Sequence, residues 1–184
     1  MGGRTAMKQQ GFTLIELAIA LAVVGLIIGM GFKGRDLIDS TRVRSMQAQV
    51  LRIGTALQVY REKYDRLPGD GCDESMKCQG GNGLLDADEA RRAWTALASS
   101  GILNLSERNA APGGQWVLRP ADGELWLDLA VDRRFACQLD RLMDDGGSTT
   151  GLVQHRGDGA TGWRVADDCW ALARQGTVTA RVMP

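Results

Sequence analysis

The sequence is short of histidine and carries no surplus of charge. Its 184 residues include one histidine, and 22 basic residues balance 22 acidic ones. A chain with a formal net charge of zero gives no broad electrostatic case for binding nucleic acid, and we expect none. His155 stands alone in a polar, glycine-rich stretch and the serines have no evident base, so we predict that the chain is not an enzyme.

Aromatic residues are also scarce, at 5% of the chain. Tryptophan side chains usually pack in cores and sheets, so a binding platform is the less common use of them. We therefore predict core positions for Trp116, Trp126, Trp163 and Trp170. An exposed tryptophan would instead indicate an adhesive contact.

One long apolar run begins at Phe12 and ends at Phe32, and Glu16 is its only ionisable residue. A helix needs about 20 apolar residues to cross a bilayer, so the run is long enough to span a membrane once. A secretory signal peptide has a shorter core, followed by small residues in an Ala-x-Ala pattern, and is discarded. Here Arg4 and Lys8 precede the run and Gly11 lies at its edge, so we expect the run to stay in the mature protein.

The sequence GFTLIELAIALAVVGLI, which begins at Gly11, resembles the processing site of type IV prepilins and of type II secretion pseudopilins. This resemblance implies that prepilin peptidase cuts between Gly11 and Phe12 and methylates the new N-terminal Phe12. It also implies that Glu16 meets the N-terminal amine of a neighbouring subunit during filament assembly.

Glu16 needs a partner on physical grounds as well. An acidic side chain deep in the apolar stretch of a membrane helix costs roughly 2.5–3.5 kcal/mol on insertion scales, so an ionisable group in a membrane indicates a function. A neighbouring amine would offset this cost. The alternative is that the Glu16 carboxylate lies near the interface and reaches the lipid headgroups.

The helix continues beyond the apolar run with one apolar face. Apolar residues recur there at alternating spacings of three and four, at Val43, Met46, Val50, Ile53, Leu57, Tyr60 and Tyr64. Pro68 and Gly69 end the helix. The predicted organisation is a cleaved basic leader (1–11), a transmembrane and assembly half of the helix (12–32), an amphipathic half (33–66) and a globular periplasmic head (67–184).

The head is predicted to contain a short helix and an antiparallel sheet. The helical pattern covers residues 89–100, a hairpin covers 115–119 and 124–130, and edge strands cover 162–165 and 177–182. A long helix followed by such a sheet is an α+β architecture. The resemblance implies the same arrangement, a pilin-like fold, and the segments LPGD at 67–70 and GNG at 81–83 are similar to the heads of pilin-like proteins.

The four cysteines lie in the predicted head, and an oxidising compartment would preserve disulfides there. Four cysteines allow three pairings. Cys72 and Cys78 flank a short loop, and Cys137 and Cys169 lie near predicted sheet elements, so we favour Cys72–Cys78 with Cys137–Cys169. A zinc site is the alternative, but Cys72 and Cys78 are more widely spaced than in the usual metal knuckle.

An acidic loop surrounds the glycine-rich turn at residues 80–83. Hard oxygen ligands on a flexible loop suit calcium, and some secretion pseudopilins hold calcium in a comparable region. The spacing does not match an EF-hand, and most such clusters are solvated loops. We therefore expect no cofactor, with calcium at Asp86, Asp88 or neighbouring residues as the alternative. The residues DDGG at 144–147 are predicted to form a turn between strands, with a ligand set as the alternative.

The predicted function is that of a structural subunit in a type IV pilus-like filament, as a minor pilin or a type II secretion pseudopilin. Its expected partners are prepilin peptidase, other pilin or pseudopilin subunits and the inner-membrane assembly platform. We expect an inner-membrane precursor with a cytoplasmic N-terminus and a periplasmic head, which then enters a pilus or pseudopilus. The alternative is a single-pass, membrane-anchored periplasmic binding or sensor protein, which would not need Gly11, Phe12 and Glu16 in this order.

The charges beyond the apolar run oppose this orientation when they are simply counted. Lys33, Arg35, Arg42 and Arg44 follow the run, whereas the leader carries only Arg4 and Lys8. We predict that the basic residues after the run face acidic groups on adjacent subunits.

Overall fold

The computed structural model describes residues 12–157, 162–172 and 175–183, and for residues 31–36 it describes the backbone alone. The chain divides between Asp39 and Ser40 into two compact units. Helix α1 (Leu14–Tyr64) contributes residues to both units. The predicted cleavage residue Gly11 and the leader residues Arg4 and Lys8 lie outside the described residues.

In the first unit, the apolar side chains at the start of α1 are exposed. Every side chain from Phe12 to Met30 is exposed, and Leu14 and Leu21 keep 89% and 67% of their surface accessible. Within the described part of the chain, no helix has both the length and the apolar character needed to cross a membrane. The transmembrane assignment of residues 12–32 stays a prediction.

In the second unit, the remaining part of α1 buries one face. The predicted stripe is buried from Val43 to Tyr60, and Met46 and Leu57 have no accessible surface. Tyr64, the last residue of α1, departs from the prediction because it is 38% exposed. Its ring packs against that of Tyr60, with 4.5 Å between the centroids. The stripe therefore ends one turn before the helix does.

Four strands form one antiparallel sheet in the order β1-β2-β4-β3. The strands are β1 (Val117–Ala121), β2 (Glu124–Asp132), β3 (Val153–Arg156) and β4 (Gln175–Met183). The predicted hairpin is confirmed as β1 and β2, and its turn residues Asp122 and Gly123 have φ values of 54° and 80°. Positive φ at both positions is typical of a type I′ turn, whose twist suits a two-residue hairpin. A long helix followed by a small antiparallel sheet confirms the α+β prediction.

The core joins the α1 stripe to one face of the sheet and to two shorter helices, α2 (Ala87–Ser99) and α3 (Arg133–Met143). Leu127 and Leu129 of β2 and Val178 of β4 are almost completely buried in it. Because β strands alternate between faces, these residues alternate with polar ones on the outer face. The α1 stripe thus packs in the core of a helix-and-sheet domain.

Two predictions within the head are wrong. Residues 162–165 do not form a strand, and the short strand β3 at Val153–Arg156 takes the edge position instead. Residues 177–182 belong to β4, but β4 lies between β2 and β3 and is therefore not an edge strand. It pairs with β2 along most of its length and with β3 at residues 177–180, which a sequence of alternating small and β-branched residues does not reveal. Helix α3 was not predicted at all.

Candidate functional site

The N-terminal end of α1 forms a capping box that the sequence interpretation missed. The Thr13 hydroxyl accepts a hydrogen bond from the Glu16 amide at 3.3 Å, and the Glu16 carboxylate accepts one from the Thr13 amide at 3.4 Å. The signal was present, because a threonine followed three residues later by glutamate is the pattern of a capping box. The box holds the Glu16 carboxylate toward the helix N-terminus, where the helix dipole favours negative charge.

This position places Glu16 next to the predicted new terminus. Phe12 directly precedes Thr13, and its side chain is 81% exposed. Cleavage before Phe12 would create an amine one residue from the capping box. The hydrogen bonds of the box are long at 3.3–3.4 Å, so a charged amine is a stronger partner for the carboxylate than these neutral donors.

The exposed apolar half of α1 has no partner surface in its own unit among the described residues. A Cβ atom added at Gly25 or Gly29 would meet nothing within 4 Å, so no contact with the described residues requires glycine there. Small residues four apart allow close approach of a second helix. An exposed apolar surface of this extent is rare on soluble monomers and marks an interaction surface.

Two disulfides stabilise the head, in the pairing expected from the sequence. Cys72 is bonded to Cys78 and Cys137 to Cys169. The first bond closes a small loop, with a sequence separation of 6, and the second joins α3 to the 3₁₀ helix Cys169–Ala171 across a separation of 32. All four cysteines are thus consumed, and the zinc alternative is wrong.

The LPGD and GNG segments meet at the Asp70 carboxylate. Asp70 is 1% exposed and accepts hydrogen bonds from the amides of Asn82 and Gly83, each at 3.0 Å. A Cβ atom on Gly81 would lie 2.5 Å from an Asp70 oxygen, so a side chain there would displace the Asp70 carboxylate from its present position. Asp70 therefore serves as a buried hydrogen-bond acceptor that holds two loops together.

Asp86 and Asp88, the predicted calcium ligands, lie at the start of α2. Asp86 is the N-cap, and its carboxylate accepts hydrogen bonds from the amides of Asp88 and Glu89, each at 2.8 Å. The bond from Glu89, followed by that from Asp88, lowers the pKa of Asp86. Asp88 forms an ion pair with Arg91. Within the described residues, no third acidic, histidine or cysteine ligand joins Asp86 and Asp88, and calcium at these residues stays a prediction.

Three other carboxylates do converge, at Asp140, Asp144 and Asp145. Their oxygen atoms lie within 4.8 Å of one another. Each already has hydrogen-bond donors, and Asp140, which is fully buried, accepts from the indole N–H of Trp163 at 2.6 Å and from the Gly146 amide at 3.2 Å. Burial raises the pKa of Asp140 against the opposing effect of these two bonds. The DDGG segment connects α3 to β3, so the expected turn between two strands is wrong.

The tryptophan predictions hold with one exception. Trp116, Trp126 and Trp163 are at most 9% exposed, but Trp170 is 39% exposed and is not a core residue. It lies on the short helix anchored by the disulfide of Cys169 and contacts Phe135 edge-on. His155 is on β3, with its ring 5.6 Å from that of Trp163.

One comparison with known proteins matches the N-terminal end of the chain, where α1 begins. Residues 6–32 match the family described as the prokaryotic N-terminal methylation motif. Among curated proteins none matches the chain significantly. One similar solved structure is that of the major type IV pilin PilA1 from Clostridium difficile, at 10% sequence identity over 80% of this chain and 98% of that one, with a TM-score of 0.48. The N-terminal end of this chain therefore carries a prepilin-type methylation motif, and Gly11, Phe12 and Glu16 all lie within it.

Proposed function

We propose that this protein is a structural subunit of a type IV pilus-like filament, as a minor pilin or a type II secretion pseudopilin. The observation that carries the proposal is the start of α1, where a methylation motif leads into a helix whose apolar side chains are all exposed from Phe12 to Met30. In a filament, the same helices from neighbouring subunits would bury this surface against one another. Because lipid covers this surface before assembly in the proposal, close packing and polar contacts between the helices would drive their association.

Processing is the step that makes assembly possible in this proposal. Prepilin peptidase removes residues 1–11 and methylates Phe12, which leaves the new amine beside the Thr13–Glu16 capping box. Before assembly the Glu16 carboxylate is held by its own helix terminus. On assembly it exchanges these long bonds for an ion pair with the Phe12 amine of a neighbour, and the exchange sets the register between the two helices.

In this proposal the unassembled subunit is held in the inner membrane. The apolar half of α1 would keep the precursor in the inner membrane, with the N-terminus in the cytoplasm and the head in the periplasm. The two disulfides support an oxidising location for the head. The assembly platform of the inner membrane would then draw the processed subunit into the filament. We propose no catalytic role and no nucleic-acid partner.

Two measurements in the native host test the proposal. One identifies the N-terminal residue of the assembled chain, and the other is the filament yield of three variants. We expect the wild-type chain in sheared filaments to begin at methylated Phe12. Substitution Gly11→Val should leave the leader attached and block assembly, whereas Glu16→Ala should allow cleavage but reduce assembly strongly. Asp39→Asn, at another acidic position of α1, is the matched control and should assemble normally.

Two outcomes would contradict the proposal. A wild-type chain that keeps its leader and stays in the membrane would favour the anchored binding or sensor protein. Normal assembly of Glu16→Ala would remove the proposed contact between subunits. A photoreactive residue placed in the head then assigns the filament, because capture of pilins indicates a pilus and capture of pseudopilins indicates a secretion system.

A further inference from the structure

The two disulfides of the head differ in how far solvent reaches them. Cys137 and Cys169 have no accessible surface, and both belong to the hydrophobic core. Cys72 is 4% exposed, but Cys78 is only half-buried, and most of the loop between them is exposed. A thiolate that attacks a disulfide must reach one sulfur along the bond, so exposure decides which bond can react in the folded protein.

The loop closed by Cys72 and Cys78 has its own hydrogen bonds. The Asp73 amide donates to the Lys77 carbonyl at 3.0 Å, and the Gln79 amide donates to the Gly71 carbonyl at 2.9 Å. The Asp73 carboxylate also accepts from the amides of Ser75 and Lys77, each at 2.9 Å. These hydrogen bonds join the two ends of the loop independently of the disulfide. Reduction would therefore leave the two thiols close together and ready to reoxidise.

We infer that Cys72–Cys78 is a thiol-exchange site on the folded head, whereas Cys137–Cys169 is a structural bond. The reaction partner is a dithiol. Its thiolate attacks the Cys78 sulfur, a new S–S bond forms, and the Cys72–Cys78 bond breaks with its electron pair leaving on Cys72, which takes up a proton. The second thiol then attacks the mixed disulfide, so Cys78 leaves as a thiolate and is protonated. The head gains two electrons and two protons, and the dithiol becomes a disulfide.

The redox state of this bond affects the loops around Asp70. Arg66 donates to the Cys78 carbonyl at 3.4 Å, and four residues after Cys78 the Asn82 amide donates to the Asp70 carboxylate. The same segment lines an open hollow of about 440 Å³ beside the end of α1, with Asp70 and Cys78 in its wall. Reduction would remove a covalent link from that wall and leave its hydrogen bonds, while the core disulfide continues to hold α3. This inference does not depend on the filament proposal, because it follows from the head alone.

The test is reduction of the full-length chain in detergent under native conditions. Dithiothreitol is added for increasing times, free thiols are alkylated, and each cysteine is quantified by mass spectrometry. We expect Cys72 and Cys78 to be labelled together and more than about tenfold faster than Cys137 and Cys169, whose labelling requires opening of the core. Equal rates, faster labelling of the core pair, or no labelling of either pair before unfolding would each overturn the inference.

Two single substitutions test the direction of attack. Cys72→Ser leaves Cys78 as a free thiol, and Cys78→Ser leaves Cys72. We expect a disulfide reagent such as oxidised glutathione to modify Cys78 in the first variant faster than Cys72 in the second, because Cys78 is the more exposed of the two. Equal rates, or faster modification of Cys72, would contradict attack at Cys78. Circular dichroism on both variants confirms that the comparison is made between folded heads.

Discussion

The two described stretches of α1 are both rich in apolar residues, but they use them in opposite ways. From residue 12 to residue 30 the apolar side chains lie on all sides of the helix and are exposed. From residue 40 onward most of them form a single stripe that belongs to the hydrophobic core, whereas Leu51 and Val59 are exposed. The second stretch buries its apolar stripe within the chain, whereas the apolar surface of the first stretch is left exposed and indicates an interaction with a partner. One helix thus provides both a folding surface and an assembly surface.

The largest expected effect contrasts a leucine from each stretch. Leu57 has no accessible surface, so Leu57→Ala should lower the free energy of unfolding of the head by about 3–5 kcal/mol through a cavity in the core. Leu21 is 67% exposed, so Leu21→Ala should leave head stability unchanged while reducing assembly. Thermal unfolding and the yield of sheared filaments measure the two effects. Equal destabilisation of the head by both substitutions would contradict the separation of α1 into an assembly stretch and a folding stretch.

Two glycines sharpen the comparison. Gly69 has a φ of +90°, and a Cβ atom there would lie 2.4 Å from the carbonyl oxygen of Glu89. We therefore expect Gly69→Ala to lower the free energy of unfolding of the head by more than about 2 kcal/mol. A Cβ on Gly25 meets nothing within the chain, so Gly25→Ala should leave the melting temperature of the head unchanged. Assembly of Gly25→Ala should nevertheless fall if two helices approach closely there. The contrast fails if Gly69→Ala melts at the wild-type temperature.

The carboxylates Asp70 and Glu16 extend the comparison from apolar to charged groups. Asp70→Ala leaves the amides of Asn82 and Gly83 without their acceptor, and we expect a loss of about 1–3 kcal/mol in head stability. Glu16→Ala should leave head stability as it is and affect assembly alone. Chemical denaturation of both variants measures the first effect. Unchanged stability in Asp70→Ala would show that the buried carboxylate is dispensable.

The smallest expected effect is a pH dependence that belongs to the head. Burial raises the folded-state pKa of Asp140 above the ordinary value of about 3.9 for aspartate. Protonated Asp140 therefore adds to the free energy of unfolding at pH values below about 3.9, and this contribution is lost as pH rises through the folded-state pKa. The melting temperature of the wild-type chain, relative to Asp140→Asn, should fall as pH increases over this range. Parallel melting curves for the two proteins would contradict the assignment.

The sequence predicted the parts of the fold that rest on local patterns. The α1 stripe and the hairpin depend on spacing and turn chemistry that are visible in a single segment, although the turn expected at 120–123 is confined to Asp122 and Gly123 because Pro120 and Ala121 belong to β1. The disulfide pairing was expected from the short loop between Cys72 and Cys78, which left Cys137 and Cys169 for each other. The methylation motif was recognisable for the same reason, because Gly11, Phe12 and Glu16 are close in sequence.

The features that were missed depend on contacts between distant segments or on an unmarked boundary. Helix α3 follows β2 without a breaker, because Asp132 is both the last residue of the strand and the N-cap of the helix. β3 has only four residues and is defined by its pairing with β4. The exposure of Trp170 also follows from tertiary packing, and no local pattern distinguishes it from the buried tryptophans.

The most direct measurement of the central claim is photocrosslinking from position 21 and position 57 in sheared filaments. A photoreactive residue in place of Leu21 should capture residues 12–30 of a neighbouring subunit, and one in place of Leu57 should capture strands of its own head. That result would establish that one stretch of α1 serves assembly and the other serves folding. Capture within the same chain from position 21, or no subunit captured at all, would contradict the account.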